Sequence, residues 1–220
     1  MDYMSTDNLQ SVALFPIPEC VVFPGMVFPL HVFEPRYRNM IRHCIRESIP
    51  VAICHTQKTL HEVEPAKSKE EALSKNQDTF KPYPIFSAGR CELVSTTDDG
   101  RLLVNVYIDR RLEFVEEEQT LPFVIAKCKP LLDQIMSDEN ATQAELLKDK
   151  IIHRLIALSG GDEDLSNKLN SDLWQKKTPQ AFSFKVFSLI RLHADVQQSI
   201  LENRNPLVRL NTILKVLNNE

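Results

Sequence analysis

The chain has 220 residues, of which 43% are hydrophobic and 25% charged, and its formal net charge is −4. A chain of this length buries roughly 70% of its unfolded surface, as one large domain or two small ones. The acidic balance argues against the basic field that usually drives nucleic-acid binding. The first ten residues lack the pattern of a signal peptide, and no apolar stretch is long enough for a membrane span. We therefore expect a cytoplasmic protein with no membrane partner.

The five cysteines are odd in number and far apart in the sequence, with no C-x-x-C pair. This spacing suggests neither a disulfide framework nor a zinc knuckle. We expect them to be small buried hydrophobic residues in a reducing compartment. They are Cys20, Cys44, Cys54, Cys91 and Cys128.

Short apolar runs dominate residues 11–132, which predicts a β-rich half. Prolines and the Pro24-Gly25 turn divide its beginning into two or three short strands, because proline fixes φ and glycine accepts a positive φ. The runs are residues 12–15, 20–23 and 26–33.

The segment 35–47 follows with helical periodicity. Five apolar residues recur at the spacing of one helix face, and Pro35 suits the first helical turn. We expect this helix to cap a β-barrel. Its apolar face comprises Tyr37, Met40, Ile41, Cys44 and Ile45.

The rest of the β half consists of a strand, a long charged stretch and a hairpin. Residues 51–56 predict a strand, whereas residues 57–82 are charged, poor in apolar residues and too long for an ordinary connection, so we expect a mobile excursion. Asp99-Gly100 between two strand-like arms predicts a hairpin, with alternate residues from Leu102 to Ile108 facing a core. Residues 122–132 close the β half.

Helical periodicity begins after Asp133 and predicts a bundle of four or five segments. Gly160-Gly161 ends the first helix, Thr178-Pro179 opens one rich in phenylalanine, and Asn205-Pro206 opens the last. The predicted inner faces comprise Leu147, Ile151, Leu155 and Leu158, then Leu165, Leu169 and Leu173, then Phe182, Phe184 and Phe187, then Leu207, Leu210, Leu214 and Leu217. The natural division lies near residues 133–140, giving a β subdomain over 11–133 and a helical subdomain over 139–218.

Catalytic motifs are absent from the sequence. No glycine is followed by the Lys-Ser/Thr of a phosphate-binding loop, and no G-x-G-x-x-G, H-E-x-x-H or G-x-S-x-G occurs. Paired carboxylates such as Asp98-Asp99 fall in turns or at helix starts, where they more often cap than catalyse. We expect no catalytic residues, no metal site and no cofactor.

A row of arginines on the 35–47 helix is a candidate binding feature. Arg38, Arg42 and Arg46 recur every fourth position opposite the apolar helix face, so they project together and could bind phosphate or an acidic partner. A solvated face that keeps the helix soluble is the commoner reason for such a row. Beside it, we expect Glu34 to form a buried ion pair with Arg110 or Arg111.

The stretch from Leu14 to Ile41 carries a resemblance to a known family. It contains LFP at 14–16, VFPG at 22–25, PL at 29–30 and FEPRY at 33–37. These motifs resemble the N-terminal, substrate-binding domain of Lon proteases, and specifically its stand-alone relatives, with weaker likeness over most of 11–218. The motif residues taken as structural are Pro24, Gly25, Glu34, Pro35, Arg36 and Tyr37.

The resemblance implies an α+β fold, with a PUA-like β-barrel carrying one capping helix and a C-terminal α-helical bundle. Full Lon proteases continue into ATPase and protease modules, and we expect neither in this chain. The sequence departs from the family pattern at YIDRRLEF, which lacks a glycine before the arginine, and in the charged 57–82 stretch. Contacts that these loops make in relatives are therefore not transferred to this chain.

The leading functional expectation is a non-enzymatic module that binds unfolded polypeptide or a protein partner through apolar surface and a sheet edge. The candidate peptide-binding residues are Val27, Phe28, His31 and Phe33, although core packing is the commoner role for each. The alternative is an RNA-binding PUA-like module, in which the arginines of the 35–47 helix meet phosphates. A hydrolase without a recognisable motif is the least favoured reading.

Overall fold

The structure is a computed structural model that describes residues 9–63 and 68–219. Two compact units account for these residues. The first runs up to Leu131 and includes His193–Gln198; the second comprises Leu132–Leu192 and the residues from Ser199 onward. Each unit has a core of its own, and each is described separately.

Eight strands are described in the first unit. Six of them form one mixed sheet in the order β2-β7-β6-β3-β1-β8, and β8 also pairs with the far end of β7. All neighbours are antiparallel except β1 and β3, which are parallel. The strands are β1 Gln10–Pro16, β2 Val27–Val32, β3 Val51–Cys54, β4 Thr56–His61, β5 Thr79–Pro82, β6 Ile85–Thr96, β7 Leu102–Gln119 and β8 Ile125–Pro130.

The fold class is confirmed as α+β, with this sheet and several helices. The description as a PUA-like barrel stays a prediction. Of the apolar runs at the beginning of the chain, two become strands, whereas residues 20–23 do not. Val22 and Phe23 from that run are nevertheless buried.

Both faces of the central strands are buried. Ala13 of β1 belongs to one apolar cluster, together with Val51 and Ile53 of β3. Val12 and Leu14, the neighbours of Ala13, belong to a second apolar cluster. Since successive side chains in a strand point to opposite faces, a strand covered on both sides reads as a continuous apolar run. This explains why β1 and β3 show no alternation in the sequence.

Helix α1 spans Pro35–Glu47, as the periodicity predicted. Pro35 occupies its first turn, and Ser48 ends it in the left-handed conformation with φ 56°. Four residues of the predicted apolar face are buried, but Ile45 is 39% exposed. The prediction was wrong for Ile45 because the buried face narrows toward the end of the helix.

The hairpin predicted at Asp99-Gly100 is confirmed, since it joins β6 to β7. Gly100 has φ +84° and donates its N–H to the carbonyl of Thr97 at 2.9 Å. Leu102, Val104, Val106 and Ile108 are all buried. The alternation in the sequence therefore identified the inner face of β7.

The stretch 57–82 differs from the mobile excursion that we predicted. It contains β4 and β5, which pair with each other in a separate two-stranded sheet, and the short helix α2 at Lys69–Ser74. Residues 64–67 lie outside the described part of the chain. We call residues 56–63 and 68–82, which contain β4, α2 and β5, the flap. The sequence did not predict these elements because the strands of the flap expose most of their surface and therefore carry charged rather than apolar side chains.

The second unit is built from helices and their connections. Helix α7 is shared between the two units, since His193–Gln198 belong to the first. In the described chain these elements are α3 Asp138–Leu158, α4 Glu163–Asn170, α5 Asp172–Gln175, α6 Pro179–Lys185, a 3-10 turn Val186–Ser188, α7 Ala194–Glu202 and α8 Pro206–Leu217.

The predicted helix starts are confirmed at Thr178 and Asn205. The Thr178 hydroxyl accepts the N–H of Ala181, and the Asn205 side chain caps α8 in the same way. Phe182, Phe184 and Phe187 are buried as predicted. Two residues of the predicted inner faces are instead on the surface: Leu158, the last residue of α3, is 53% exposed, and Leu173, in the short helix α5, is 71% exposed.

A buried arginine lies inside the second unit. Arg209 of α8 is fully buried and binds the carboxylate of Asp133 through two nitrogens, at 2.5 and 2.7 Å. It also donates to the Ser183 hydroxyl and the Asn203 carbonyl. These partners satisfy the guanidinium, which is the condition for keeping a charge away from water.

Four of the five cysteines are buried, as expected for small hydrophobic residues, and Cys20 is partly buried. Burial raises the pKa of the Cys20 thiol to about 11 and the pKa values of Cys44, Cys91 and Cys128 to about 12. No helix within the described ranges combines the length and the hydropathy that crossing a bilayer requires.

Candidate functional site

The four candidate peptide-binding residues do not share one face. Strand β2 alternates, so Val27 and His31 are exposed while Phe28 turns inward and packs against the core. Phe33, just after the strand, is 36% exposed. The set therefore divides into three surface residues and one core residue. The run 26–33 is apolar except for His31, so the sequence carried no alternation from which to assign Phe28.

Strand β2 is an edge of the six-stranded sheet, where β7 is its neighbour. The N–H of Ile108 donates to the carbonyl of Met26 at 2.9 Å, so Met26 faces β7. Because backbone groups alternate along a strand, Pro29 directs its nitrogen to the open side. Proline has no N–H to donate there, which is a common way to protect a sheet edge.

The FEPRY motif forms the corner between β2 and α1. The ring of Tyr37 stacks on Phe15 with centroids 4.1 Å apart, and the Arg36 guanidinium lies 4.6 Å from the Tyr37 ring centre. Burial raises the pKa of Tyr37 to about 12, against the opposing effect of the Arg36 charge. The motif thus builds a compact stack of two rings and a cation.

Glu34 forms an ion pair, but not with the partner that we predicted. Its carboxylate lies 3.0 Å from Arg36, and both side chains are largely buried. Arg110 pairs with its neighbour Asp109 instead. The prediction was wrong for Arg110, because the helix start brings Glu34 and Arg36 together within the motif, whereas the exposed Arg110 pairs with the adjacent Asp109.

The same motif binds the flap. The Arg36 guanidinium donates to the carbonyls of Gln77 and Asp78 at 3.2 and 2.7 Å, and the Glu34 carboxylate accepts the N–H of Gln77 at 2.9 Å. Arg38 donates to the carbonyl of Leu73 at 2.8 Å. We call Glu34, Arg36 and Arg38 the latch.

The predicted arginine row is therefore divided. Arg38 is partly buried and occupied by backbone carbonyls, including that of Gly100 at 3.3 Å. Arg46 is exposed and pairs with Glu47, and its guanidinium lies 3.1 Å from the His43 ring. Arg42 is exposed. Only part of the row faces solvent as free positive charge, which weakens its match to a run of phosphates.

A pocket of about 620 Å³ lies between the flap, the motif and the β7–β8 connection. Its volume falls within the range of small-ligand sites, and its lining is mostly aromatic, proline and leucine. Leu60 and Leu121 on its walls are 57% and 81% exposed. The lining residues are Leu14, Pro16, Arg36, Tyr37, Gln57, Leu60, Thr79, Phe80, Lys81, Pro82, Tyr83, Pro84, Phe114, Glu117, Thr120, Leu121, Pro122, Phe123 and Val124.

A smaller pocket of about 250 Å³ lies on the other side of the motif. His31 and Phe33 line it, so two of the predicted peptide-binding residues reach a concave surface. Arg36, Tyr37, Pro16 and Phe80 line both pockets. The FEPRY motif is thus the shared wall of the two.

Most residues of the larger pocket were missed in the sequence. They come from four separate segments, and nothing in their spacing links them. The one available signal was the density of proline and aromatic residues in FKPYP at 80–84 and LPF at 121–123. Among the described residues, no group of three or more His, Cys, Asp or Glu side chains is placed to hold a metal ion.

Comparison with known proteins agrees with this architecture. The family model of the ATP-dependent protease La (LON) substrate-binding domain matches residues 11–219. No curated protein sequence matches the chain.

Two solved structures are similar in fold. The N-terminal domain of the Mycobacterium avium complex Lon protease has a TM-score of 0.69 at 15% identity, over 96% of this chain and 100% of that one. A Lon N-terminal domain protein from Xanthomonas campestris has a TM-score of 0.56 at 18% identity, over 93% and 97% of the two chains. These two likenesses concern the fold, and the family match over nearly the whole sequence shows that the chain belongs to the family of Lon substrate-binding domains.

Proposed function

We propose that this protein is a non-enzymatic module that binds unfolded polypeptide or a protein partner, in a reducing compartment such as the cytoplasm, through a PUA-like barrel. The observation that carries the proposal is the 620 Å³ pocket, with its aromatic and proline lining and two exposed leucines. Exposed apolar concavities on soluble proteins are typical binding sites. Membership of a substrate-binding family supports the same reading.

The structure favours insertion of side chains over addition of a strand. Pro29 interrupts the donors on the open edge of β2, and Pro16, Pro82 and Pro84 on the pocket wall offer no N–H either. Strand addition needs a row of backbone donors and acceptors. We therefore place the main recognition site at the pocket, with His31 and Phe33 as an adjoining surface.

The RNA-binding alternative has less support. Arg38 of the predicted row binds backbone carbonyls, and Arg46 pairs with Glu47. Phosphate recognition needs several free cations on one surface. Salt-dependent RNA binding that is lost in Arg42→Gln would revive this alternative.

The test uses titration of the full chain with fluorescently labelled, carboxymethylated casein, a permanently unfolded polypeptide. We expect Leu121→Asp to weaken binding about tenfold, because burying a leucine is worth roughly 1.5–3 kcal/mol and 1.4 kcal/mol is a tenfold change. Leu173→Asp is the matched control, since Leu173 is also an exposed leucine, 71% accessible, in the helical unit.

The two variants distinguish binding at the pocket from binding at any exposed apolar residue. Weaker binding in Leu121→Asp with unchanged binding in Leu173→Asp supports the pocket as the site. Equal losses in both variants would mean that casein attaches to any exposed apolar residue. Absence of casein binding to the unchanged protein at high micromolar concentration would refute the proposed function itself.

A further inference from the structure

The flap is a distinct substructure of the first unit. In the described chain β4 and β5 pair with each other and with no strand of the six-stranded sheet. Both ends of the hairpin meet at one place, where the Tyr83 N–H donates to the His55 carbonyl at 2.9 Å and the two rings stack 5.1 Å apart. His55 follows β3 directly, and Tyr83 lies just before β6. The flap is therefore joined to the sheet through a single narrow root.

One wall of the larger pocket is made by the flap. Gln57 and Leu60 of β4 and all four residues of β5 line it. Another part of the lining comes from the β7–β8 connection around Leu121. A movement of the flap about its root would change the width of the pocket directly.

Polar contacts from the latch hold the flap in the observed position. Arg36 donates to the carbonyls of Gln77 and Asp78 and to the Thr79 hydroxyl, while the Arg36 backbone N–H donates to the Asn76 side chain. Arg38 binds the carbonyl at the end of α2. Polar contacts of this kind exchange with water more readily than a packed apolar core, since water replaces the lost hydrogen bonds.

The latch also leaves donors unused. The Nε atoms of Arg36 and Arg38 are both buried and have no acceptor among the described residues. Buried donors without partners are rare and raise the free energy of the state that contains them. The two unpaired donors therefore raise the free energy of the closed position of the flap. The difference in free energy between the closed and open positions is correspondingly smaller than the number of hydrogen bonds implies.

We propose that the flap is a lid on the larger pocket, that Glu34, Arg36 and Arg38 latch it, and that an extended polypeptide enters when the latch opens. This proposal rests on the proposed function for its ligand, but the opening of the flap is a separate property. If the binding-competent state is only a fraction of the population, the apparent affinity is reduced by that fraction. Loosening the latch raises the fraction and therefore raises the affinity.

The test compares Arg36→Gln with Arg42→Gln. Both variants remove one positive charge from α1, but Arg42 is exposed and, unlike Arg36, makes no hydrogen bond or ion pair with the described residues of the flap. Three measurements are made on the full chain: hydrogen exchange with peptide-level mass spectrometry, binding of the apolar dye 1-anilinonaphthalene-8-sulfonate, and binding of carboxymethylated casein. Arg36→Lys serves as a second variant that keeps the charge if the glutamine variant folds poorly.

If the flap is a lid, casein binding and dye binding change in opposite directions in Arg36→Gln. Exchange of the backbone amides of 69–82 accelerates at least about fivefold while those of β1 and β3 are unchanged, and casein binds about five- to tenfold more tightly. The dye, which needs both walls of the pocket, binds more weakly. Arg36→Lys shows the same changes to a smaller extent, and Arg42→Gln behaves like the unchanged protein.

If the flap is a fixed wall of the pocket, the expected results are different, and observing them would overturn the proposal. In that case Arg36→Gln weakens dye and casein binding in parallel, or accelerates exchange equally in the flap and in β1 and β3. Failure of the proposed function is distinguishable, because casein then binds no variant while the exchange and dye measurements still decide whether the flap opens.

Discussion

At the scale of single residues, burial sets the chemistry of the titratable side chains in the first unit. Tyr37, Cys44 and Cys91 all have pKa values raised to about 12, chiefly because the surrounding apolar residues disfavour their charged forms. The unfolded chain has no such environment, so there these groups ionise near pH 9–10. The difference between the two states makes stability depend on alkaline pH.

We expect the free energy of unfolding to be insensitive to these groups below about pH 8 and to fall between about pH 9 and 12. The sign follows from the protons: above the unfolded-state pKa the unfolded chain has lost protons that the folded chain retains, so rising pH favours unfolding. Urea denaturation at a series of pH values measures the fall.

Tyr37→Phe provides the control for this prediction, because it keeps the ring stacked on Phe15 and removes the ionisable hydroxyl. Its stability should fall less steeply than that of the unchanged protein from pH 10 to 12. An identical slope in the two proteins would show that Tyr37 does not contribute.

At the scale of elements, the pairing of β6 with β7 depends on a close approach at Gly89. A Cβ added there would lie 1.8 Å from the carbonyl oxygen of Tyr107. Gly25 needs glycine for another reason, since its φ is +86° and nothing lies within 4 Å of an added Cβ. Substituting each of the two glycines therefore distinguishes the cost of a steric conflict from the cost of an unfavourable backbone conformation.

We expect Gly89→Ala to destabilise the protein by about 3 kcal/mol or more, because the strands must separate to accommodate the methyl group. Gly25→Ala should cost about 1–2 kcal/mol, the penalty of a left-handed conformation. Thermal and urea unfolding of both variants measure the difference. Comparable losses in the two variants would contradict the close approach at Gly89.

Elements with a strong local pattern were predictable from the sequence. The apolar spacing of 35–47 predicted α1, Asp99-Gly100 predicted the β6–β7 hairpin, and Thr178 and Asn205 predicted helix starts. Each signal lies within a few residues of the structure that it specifies. The turn chemistry and the periodicity were therefore sufficient without tertiary information.

The flap and the pocket could not be predicted in the same way. The flap is charged, and it is ordered by contacts from Arg36 and Arg38, which lie more than thirty positions away in the chain. The pocket combines residues such as Leu14, Phe80 and Leu121, which no periodicity relates. Of the peptide-binding residues that the sequence suggested, His31 and Phe33 line the smaller pocket, whereas Phe28 packs against the core, and their role in binding stays a prediction.

At the scale of the whole molecule, two cores support two units, and the helical one depends on the Arg209–Asp133 pair. The pair joins the first residues of that unit to its last helix. Removing one member of a buried ion pair leaves the other without compensation, which typically costs about 3–5 kcal/mol.

We expect Arg209→Met to destabilise the helical unit by about 3 kcal/mol, measured by urea denaturation and by faster hydrogen exchange in α3, α6 and α8. Lys215→Ala on the exposed side of α8 is the control and should change stability by less than about 0.5 kcal/mol. A loss below about 1 kcal/mol in Arg209→Met would mean that apolar packing around position 209 replaces the ion pair.

The position of β1 in the sheet has a consequence for biosynthesis. Its two neighbours are β3 and β8, with Gln10 opposite Cys128. A ribosome makes the first strand long before the last one, and non-local pairing of this kind is slow because distant segments must meet. The nascent chain therefore carries an apolar strand with one side unpaired until β8 has been made, and we expect it to be most prone to aggregation during that interval.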